Sequence, residues 1–260
     1  MGAPGGSRAS SGWRHDGRVN DGPPPVPASR SAELARRLAE VRGRIAAACQ
    51  AAGRSPREVT LIAVTKTFPA SDVRLLSALG VRDVGENRDS EAAPKAARCA
   101  DLQPPLTWHF VGQLQTNKCA SVVSYAAVVH SVDRLRLVRA LGAQARRADR
   151  IVCCLVQVSL DGDARRGGAV AAQVPRIADA VADEPGLVLG GVMAVVPLAA
   201  APSAAFGTLA EISATVSAAH PEAAMISAGM SGDLEEAIAA GATHVRVGTA
   251  LLGGRPASVR

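Results

Sequence analysis

Lysine is scarce in this chain, and one lysine follows a segment well suited to burial. The 260 residues hold three lysines, Lys66, Lys95 and Lys118, against 26 arginines, which is the 29 basic residues less those three. Lys66 ends the apolar run VTLIAVTK at positions 59 to 66. Lysine can lose its proton and act as a nucleophile, whereas arginine stays charged in proteins. Lys66 is therefore the candidate for amine chemistry, and its alternative is a surface lysine at a strand end.

The other two lysines are weaker candidates, because both lie in polar stretches of sequence. Lys95 lies in the segment SEAAPKAAR and Lys118 in QLQTNKC. We therefore expect neither of them to be the buried amine of a functional site.

Short apolar runs alternate with amphipathic stretches along most of the chain. The eight runs lie at 59 to 66, 81 to 86, 107 to 112, 126 to 131, 151 to 159, 187 to 195, 223 to 228 and 243 to 248. Strands separated by helices pair in parallel through crossover connections. Eight such units in about 200 residues predict an α/β fold with a single (β/α)8 TIM barrel. An open doubly wound sheet is the alternative, but no G-x-G-x-x-G motif follows the first strand.

Helical stretches are expected before and between these strands. The first begins at Ser31, a suitable N-cap, with Leu34, Leu38, Val41 and Ile45 spaced along one face. Others are expected at 71 to 80, 133 to 148 and 233 to 242, and the first and last of these close on Gly80 and Gly241.

Polar groups follow most of the predicted strands. They are Lys66, Gly85 to Arg88, Gly112 to Lys118, His130 to Asp133, Gly229 to Asp233 and Arg246 to Thr249. Because barrel proteins assemble their sites at the carboxyl ends of the strands, we expect these groups to share one rim. Ser231, Gly232, Gly248 and Thr249 follow strands 7 and 8, where barrels often bind phosphate. Alternatively, Ser231 is only a helix cap.

Six segments in order resemble one protein family. They read VTKTFP, GENRDSE, WHFVGQLQTNK, HSVD, GVMAVVP and ISAGMSGDLEEAIAAGATHVRVGTALLGG, and they extend from about Val59 to Gly254. The chain resembles the pyridoxal phosphate homeostasis protein family, whose members fold like the N-terminal barrel domain of alanine racemase. The resemblance implies the same (β/α)8 barrel and pyridoxal 5′-phosphate (PLP) as cofactor.

The resemblance also implies roles for individual residues. Lys66 would form the Schiff base with PLP, and Arg246 would face the pyridine nitrogen. Ser231, Gly248 and Thr249 would hold the phosphate, and Asn87, His109 and Met193 would line the cofactor pocket. Each has a plainer alternative: a salt bridge for Arg246, a turn for Asn87, and core packing for His109 and Met193.

One position departs from the family pattern. Members usually have Gln-Val-Asn after strand 5 and Lys-x-Gly a few residues later, whereas this chain has Gln157-Val158-Ser159 and Arg166-Gly167-Gly168. Serine is shorter than asparagine, so contacts made from that position need not carry over to Ser159.

Composition limits the class of protein. Residues 1 to 30 are rich in Gly, Pro, Ser and Arg, so we expect a disordered tail followed by a barrel domain at 31 to 260. With 2% aromatic residues the chain lacks a stacking surface for bases, so despite a net charge of +6 we expect no nucleic-acid binding. Five cysteines without C-x-x-C spacing indicate reduced thiols and no metal site. No apolar run is long enough for a membrane span, so we expect a cytoplasmic protein.

Two functions are compatible with these residues. The first is a PLP carrier that buffers the cofactor or delivers it to PLP-dependent apoenzymes; the second is a PLP-dependent amino-acid racemase or related enzyme. A two-base racemase needs a second base opposite the lysine, and Tyr125, the only tyrosine, precedes strand 4, away from the rim. The chain ends twelve residues after Gly248, so we expect no second domain to supply that base. We favour the carrier, as a monomer or weak homodimer; an aldolase without cofactor would leave the phosphate loops unexplained unless its substrate is phosphorylated.

Overall fold

The computed structural model describes residues 1–2, 28–163, 166–197 and 200–254. Most of the predicted N-terminal tail lies outside these residues. The first helix begins earlier than expected, at Ala28 and not at Ser31. The reason is Arg30, whose guanidinium pairs with Asp72 at 2.6 Å and donates a hydrogen bond to the Leu252 carbonyl at 3.0 Å. These contacts hold the first helical turn against the body of the protein.

Within the described residues, eight parallel strands form a closed barrel in which each strand pairs with its neighbours in chain order. They are β1 (Thr60–Val64), β2 (Asp83–Glu86), β3 (Thr107–Phe110), β4 (Val128–Val132), β5 (Val152–Gln157), β6 (Leu187–Met193), β7 (Met225–Ser227) and β8 (His244–Val247). The barrel closes by pairing Thr60 to Ala63 of β1 with His244 to Val247 of β8. The predicted (β/α)8 architecture is confirmed.

Helices follow the strands and cover the outside of the barrel. They are α1 (Ala28–Ala51), α2 (Ala70–Ala78), α3 (Asp89–Ala97), α4 (Cys119–Tyr125), α5 (Leu135–Arg147), α6 (Val174–Ala182), α7 (Pro202–Ala219), α8 (Leu234–Ala239) and α9 (Thr249–Leu252). Gly80 and Gly241 follow α2 and α8 with φ values of 83° and 97°. Glycine adopts this left-handed conformation without steric cost, which explains why both helices end there.

The helix α1 seals the seam between the first and last strands. Leu34, Leu38, Val41 and Ile45, the predicted apolar face, are at most 5% exposed. They pack with Leu234, Ile238, Leu251 and Leu252 of α8 and α9 in one apolar cluster. Burying a side chain of this size contributes roughly 2 kcal/mol. The long N-terminal helix therefore anchors the two segments that follow β7 and β8.

Among the described helices, none combines the length and the apolar character that crossing a membrane requires.

Candidate functional site

The chain turns sharply where Lys66 leaves β1. Thr65 is fully buried, Lys66 is partly exposed, and Thr67 has a φ of 68°. A β-branched residue in this left-handed region is strained. The Thr67 N–H donates to the Glu91 carboxylate at 2.9 Å, which holds the turn in place. Lys66 itself makes no hydrogen bond or ion pair with any described residue, so its amine is available to a ligand.

A buried ion pair lies behind this turn. Lys95 is 6% exposed, and its amine pairs with Glu86 and donates to the Thr65 carbonyl at 2.8 Å. The Thr65 hydroxyl donates to the same Glu86 carboxylate at 2.6 Å. Burial raises the pKa of Glu86, against the opposing effect of Lys95. Although Lys95 lies in a polar stretch of sequence, α3 directs it into the barrel wall, where its amine is already occupied.

The loops after β7 and β8 are joined by Ser231. Its hydroxyl accepts the Ala250 N–H at 3.2 Å, and its carbonyl accepts a hydrogen bond from Arg44 of α1 at 2.9 Å. The alternative that Ser231 only caps α8 is not what the structure shows, because Asp233 occupies the N-cap position. Asp233 in turn accepts the Met230 N–H at 2.6 Å. Ser231 therefore links the two loops to each other and to α1.

Four backbone N–H groups in these two loops have no acceptor within the described residues. They belong to Ser231, Gly232, Gly248 and Thr249. Of the acidic residues nearby, Glu235 forms a two-point ion pair with Arg44 at 2.7 and 2.8 Å, while Asp233 and Glu236 form no ion pair with the described residues. The hydrogen bond from Arg44 lowers the pKa of Glu235. Donors without partners and a neutralised carboxylate suit an anionic group.

Arg246 lies inside the barrel and is held at two points. It is 5% exposed and donates to the Ser227 hydroxyl at 2.6 Å and to the Ala194 carbonyl at 2.8 Å. Burial lowers the pKa of Arg246 to about 10, so it remains a cation at neutral pH. Two of its N–H groups are thereby used within the barrel, and the guanidinium keeps further donors for a ligand.

A row of hydrogen bonds continues from Arg246 across the barrel interior. Ser227 contacts His130 at 2.9 Å, His130 contacts His109 at 2.9 Å, and His109 contacts Asp83 at 3.0 Å. We call this set the interior chain: Asp83, His109, His130, Ser227 and Arg246. Both histidines are at most 2% exposed. The barrel is thus not filled by apolar side chains alone.

Residues 37–256 match the protein family described as alanine racemase, N-terminal domain. A Mycobacterium leprae protein named pyridoxal phosphate homeostasis protein is 44% identical over 240 residues, which cover 86% of this chain and 93% of the relative. The chain belongs to the pyridoxal phosphate homeostasis protein family. The Pseudomonas aeruginosa protein of the same name is 44% identical over 225 residues, covering 85% of this chain and 96% of that protein.

A solved structure of this family gives a direct structural comparison. The structure of PipY from Synechococcus elongatus, described as having PLP bound, is 34% identical to this chain and superposes with a TM-score of 0.75. The match covers 85% of this chain and 100% of PipY. The fold and the family that the sequence motifs predict are therefore confirmed, while the role of each site residue stays a prediction.

Two residues predicted from the family pattern lie in the packed interior. His109 uses one ring nitrogen on Asp83 and the other on His130, so neither is left for a ligand. Met193 is 1% exposed and packs with Val128 and Leu155. Their cofactor contacts remain untested, but the packing agrees with the alternative of core residues.

Asn87 stands at the rim, directly after β2, and is partly exposed. Its backbone touches the loop after β3: a Cβ at Gly112 would lie 2.1 Å from the Asn87 carbonyl oxygen. Only glycine permits this approach. The side chain of Asn87 makes no hydrogen bond with the described residues, so it too is available to a ligand.

The departure from the family pattern after β5 has a local structural explanation. The Ser159 hydroxyl accepts the Gly162 N–H at 3.0 Å and contacts Asp161 at 3.4 Å. Arg166 pairs with Asp161 at 2.9 Å and donates to the Val195 carbonyl at 3.2 Å. Both residues thus stabilise their own loop and tie it to the segment after β6.

Several residues of the site carry no motif that singles them out. Ser227, Asp83 and the pair of Thr65 with Glu86 acquire their roles from contacts between different strands. The one available signal was a polar residue within an apolar strand, as at His130 and Ser227. In a parallel barrel both faces of each strand are buried, so this signal does not show which residues meet.

Proposed function

We propose that this member of the family binds pyridoxal 5′-phosphate, holds it on Lys66, and serves intracellular PLP homeostasis by buffering the cofactor or delivering it to PLP-dependent apoenzymes. The observation that carries the proposal is an amine at the end of β1 that has no partner among the described residues. It lies on the same rim as four N–H groups after β7 and β8 that likewise have no acceptor in the described part of the chain. The relatives named pyridoxal phosphate homeostasis protein and the PLP bound to PipY support it.

The residues present fit the chemistry of this cofactor. Lys66 supplies an amine that condenses with an aldehyde carbon with loss of water. Ser231, Gly248 and Thr249 would hold the phosphate through backbone N–H groups and hydroxyls. Asn87 would line the pocket. Bound PLP supplies an electron-withdrawing ring that can stabilise negative charge on an attached amino acid.

Arg246 favours holding the cofactor over amino-acid chemistry. A guanidinium facing the pyridine nitrogen donates a hydrogen bond and keeps its own proton at neutral pH. The ring nitrogen would then stay unprotonated, and the ring would withdraw electrons less strongly.

Tyr125 is engaged outside the barrel interior. Its hydroxyl donates to Asp89 at 3.4 Å, and its ring packs edge-on against Trp108 at 6.5 Å. Burial raises the pKa of this phenol above its usual range. A residue held in this way is poorly suited to exchange protons with a ligand at the rim, which supports the carrier over the racemase.

The location and assembly state belong to the same proposal. The described cysteines are all free thiols, which suits a reducing compartment, and we propose a cytoplasmic protein that is a monomer or weak homodimer. Size-exclusion chromatography with light scattering between 1 and 100 μM, on the order of typical assay concentrations, tests the assembly state.

Trapping with borohydride tests the proposed function. The purified protein is incubated with PLP, reduced and digested, and the modified peptide is identified by mass spectrometry. We expect the cofactor on Lys66, loss of labelling in Lys66→Ala, and full labelling in the control Lys118→Ala, which removes an exposed lysine. Labelling confined to Lys95 or Lys118, or no labelling at all, would overturn the proposal.

A separate assay tests the choice between carrier and enzyme. The PLP-loaded protein is incubated with D- and L-amino acids, and the products are resolved on a chiral column. We expect turnover far below the order of 10 per second typical of enzymes. Turnover at that rate would establish the racemase.

A further inference from the structure

We propose that His130 is a positioning residue that fixes the orientation of the Arg246 guanidinium through Ser227. The direction of the hydrogen bonds is a property of the protein without cofactor, whereas the effect on bound PLP rests on the proposed function. The residues it involves are the interior chain, which spans the barrel from the start of β2 to β8.

The two ends of the interior chain have opposite hydrogen-bonding character. Arg246 has donors and no acceptor, so its Nη1 must donate to the Ser227 Oγ, 2.6 Å away. The Asp83 carboxylate only accepts, so the Nε2 of His109, 3.0 Å away, must carry a proton. Between these ends lie two hydrogen bonds, His109–His130 and His130–Ser227, whose donors are assigned next.

If both imidazole rings are neutral, only one pattern of donors and acceptors fits these two hydrogen bonds. Burial, the neighbouring His109 and the charge of Arg246 lower the pKa of His130 well below the usual value, so it carries one ring proton at neutral pH. If His109 is also neutral, its proton is on Nε2 and its Nδ1 accepts from the His130 Nε2–H. The His130 Nδ1 then accepts the Ser227 hydroxyl proton. Every group donates toward Asp83.

This direction has a consequence for Arg246. A serine hydroxyl has one proton, and His130 accepts it, so the Ser227 oxygen turns its lone pairs toward the guanidinium. Without His130 the hydroxyl proton has no acceptor on that side, and the rotor can point it at Arg246. The remaining anchor, the Ala194 carbonyl at 2.8 Å, leaves the guanidinium free to pivot.

The opposite direction is chemically distinct. If His109 carries two protons, it donates to the His130 Nε2, and His130 then has its proton on Nδ1 and donates to Ser227. Ser227 would receive donors from both sides, and its own proton would no longer be committed to His130. A positive His109 would also add to the charge of Arg246 within one enclosed interior.

Nitrogen NMR on the apo protein tests the direction without any cofactor. The chain has five histidines, so a sample with 15N-labelled histidine is assigned with single His→Gln variants. We expect His130 to show a protonated Nε2 and an unprotonated Nδ1 at pH 7.5. A His130 proton on Nδ1, or exchange between the two tautomers, would overturn the inference.

Substitutions test the positioning role. His130→Leu and Ser227→Ala should each weaken PLP affinity by about tenfold, the size of one lost charged hydrogen bond. The double variant should be no weaker than the weaker single variant, because both act on one contact. Ser227→Thr keeps the hydroxyl and should restore affinity to within about threefold of wild type. Additive losses, or equal losses in Ser227→Ala and Ser227→Thr, would contradict positioning through the hydroxyl.

A matched control is available beside His130. Ser131 is 1% exposed, and its hydroxyl has no hydrogen-bond partner within the described residues. Ser131→Ala therefore removes a buried hydroxyl outside the interior chain and should leave affinity unchanged.

A spectroscopic readout separates positioning from general damage. With 15N-labelled PLP, we expect the pyridine nitrogen shift to change in His130→Leu and Ser227→Ala and to stay at the wild-type value in Ser131→Ala. An unchanged shift in the first two variants would refute the role. If the wild-type protein binds no PLP, the proposed function is refuted. The tautomer measurement still decides the direction of the hydrogen bonds along the interior chain. If the variants fail to fold, the tautomers in the wild-type protein decide the inference alone.

Discussion

The two lysines beside β1, one partly exposed and one buried, illustrate how position alone assigns different tasks to one residue type. Lys66 follows the strand and leaves the barrel wall through the strained turn at Thr67. Lys95 enters the same wall from α3, and its amine pairs with Glu86 and donates a hydrogen bond to the Thr65 carbonyl. The second lysine thereby braces the backbone from which the first one projects. A reactive amine needs such a support, because an unsupported strand end would not hold it in one place.

Replacing Lys95 tests this bracing role. In Lys95→Met the Glu86 carboxylate loses its partner inside the protein, and we expect a loss of about 3 kcal/mol in unfolding free energy at pH 7.5. The pKa of Glu86 is raised by burial, so the folded state of the variant takes up a proton more readily than the unfolded state as pH falls. The deficit should therefore shrink between pH 7.5 and 5.5. Urea denaturation at several pH values measures it.

The control for that experiment also removes the carboxylate charge of Glu86, which Lys95→Met leaves without a partner. Lys95→Met combined with Glu86→Gln has no buried carboxylate, so its deficit should be smaller and independent of pH. A Lys95→Met variant as stable as wild type at pH 7.5 would show that the pair does not brace the turn.

At the scale of elements, the order of strands and helices could be predicted from sequence, while their ends and contacts could not. Seven of the eight strands lie within the predicted apolar runs, and β4 extends one residue past its run, to Val132. The agreement arises because a parallel barrel strand is buried on both faces and reads as a short apolar segment. The β5 run was predicted at 151 to 159, but the strand spans Val152–Gln157. Apolar residues continue past the last pairing, so composition cannot mark the end. The start of α1 was missed because it depends on the distant partner Asp72.

Dependence on residues that are distant in sequence also limits how much of the site could be predicted. Lys66, Ser231 and Gly248 follow strands, and their shared rim is a consequence of barrel geometry. The interior chain is different, because His130 and Ser227 become neighbours only when β4 and β7 face each other across the closed barrel. No spacing along the sequence encodes that distance.

The helix α1 contributes to the site through a single side chain. Arg44 reaches across to hold both the Glu235 carboxylate and the Ser231 carbonyl. It is 35% exposed, so its ion pair contributes little to stability, less than about 1 kcal/mol. Its larger effect is to neutralise an acidic group beside the loop after β7.

We therefore expect Arg44→Met to weaken the binding of PLP through its phosphate group. Affinity for PLP should fall about threefold to tenfold, because Glu235 regains an unpaired charge and the Ser231 loop loses an anchor. Covalent labelling by pyridoxal, which lacks the phosphate, should be unchanged. Fluorescence titration with both compounds measures the difference. Arg36→Met, on the same helix and paired only with exposed Glu40, is the control. Equal losses for pyridoxal and PLP would show that Arg44 acts on the whole barrel and not on the loop.

For the whole molecule, the unusual property is the row of polar side chains inside the barrel. At the N-terminal end of the strands, a cavity of about 520 Å³ is lined by Arg42, Val59, Arg82 and Asp83, among others. Asp83 is the far end of the interior chain, and Arg246 is the end nearest the rim. Most folds of this class fill the barrel with branched apolar side chains. Here histidines occupy part of that space, so we expect the stability of the fold to depend on pH.

Two histidines, His130 of the interior chain and His244 at the start of β8, set the pH window of that sensitivity. Burial, with the neighbouring His109, lowers the pKa of His244 to about 4, and the pKa of His130 lies well below its usual value. In the unfolded chain a histidine binds a proton near pH 6.5. As pH falls from 6.5 toward 4, the unfolded state takes up protons that the folded state does not, so stability is full above pH 6.5 and is lost below it.

Urea denaturation at pH 7.5 and at pH 5 measures this loss. His244 should remove about 2 kcal/mol of unfolding free energy at pH 5, and His130 should lower it further. His244→Gln should remove its own share of the dependence while keeping that of His130. A wild-type protein equally stable at both pH values would mean that the buried rings take up protons in place, and the interior chain would then have to reverse its direction at acidic pH.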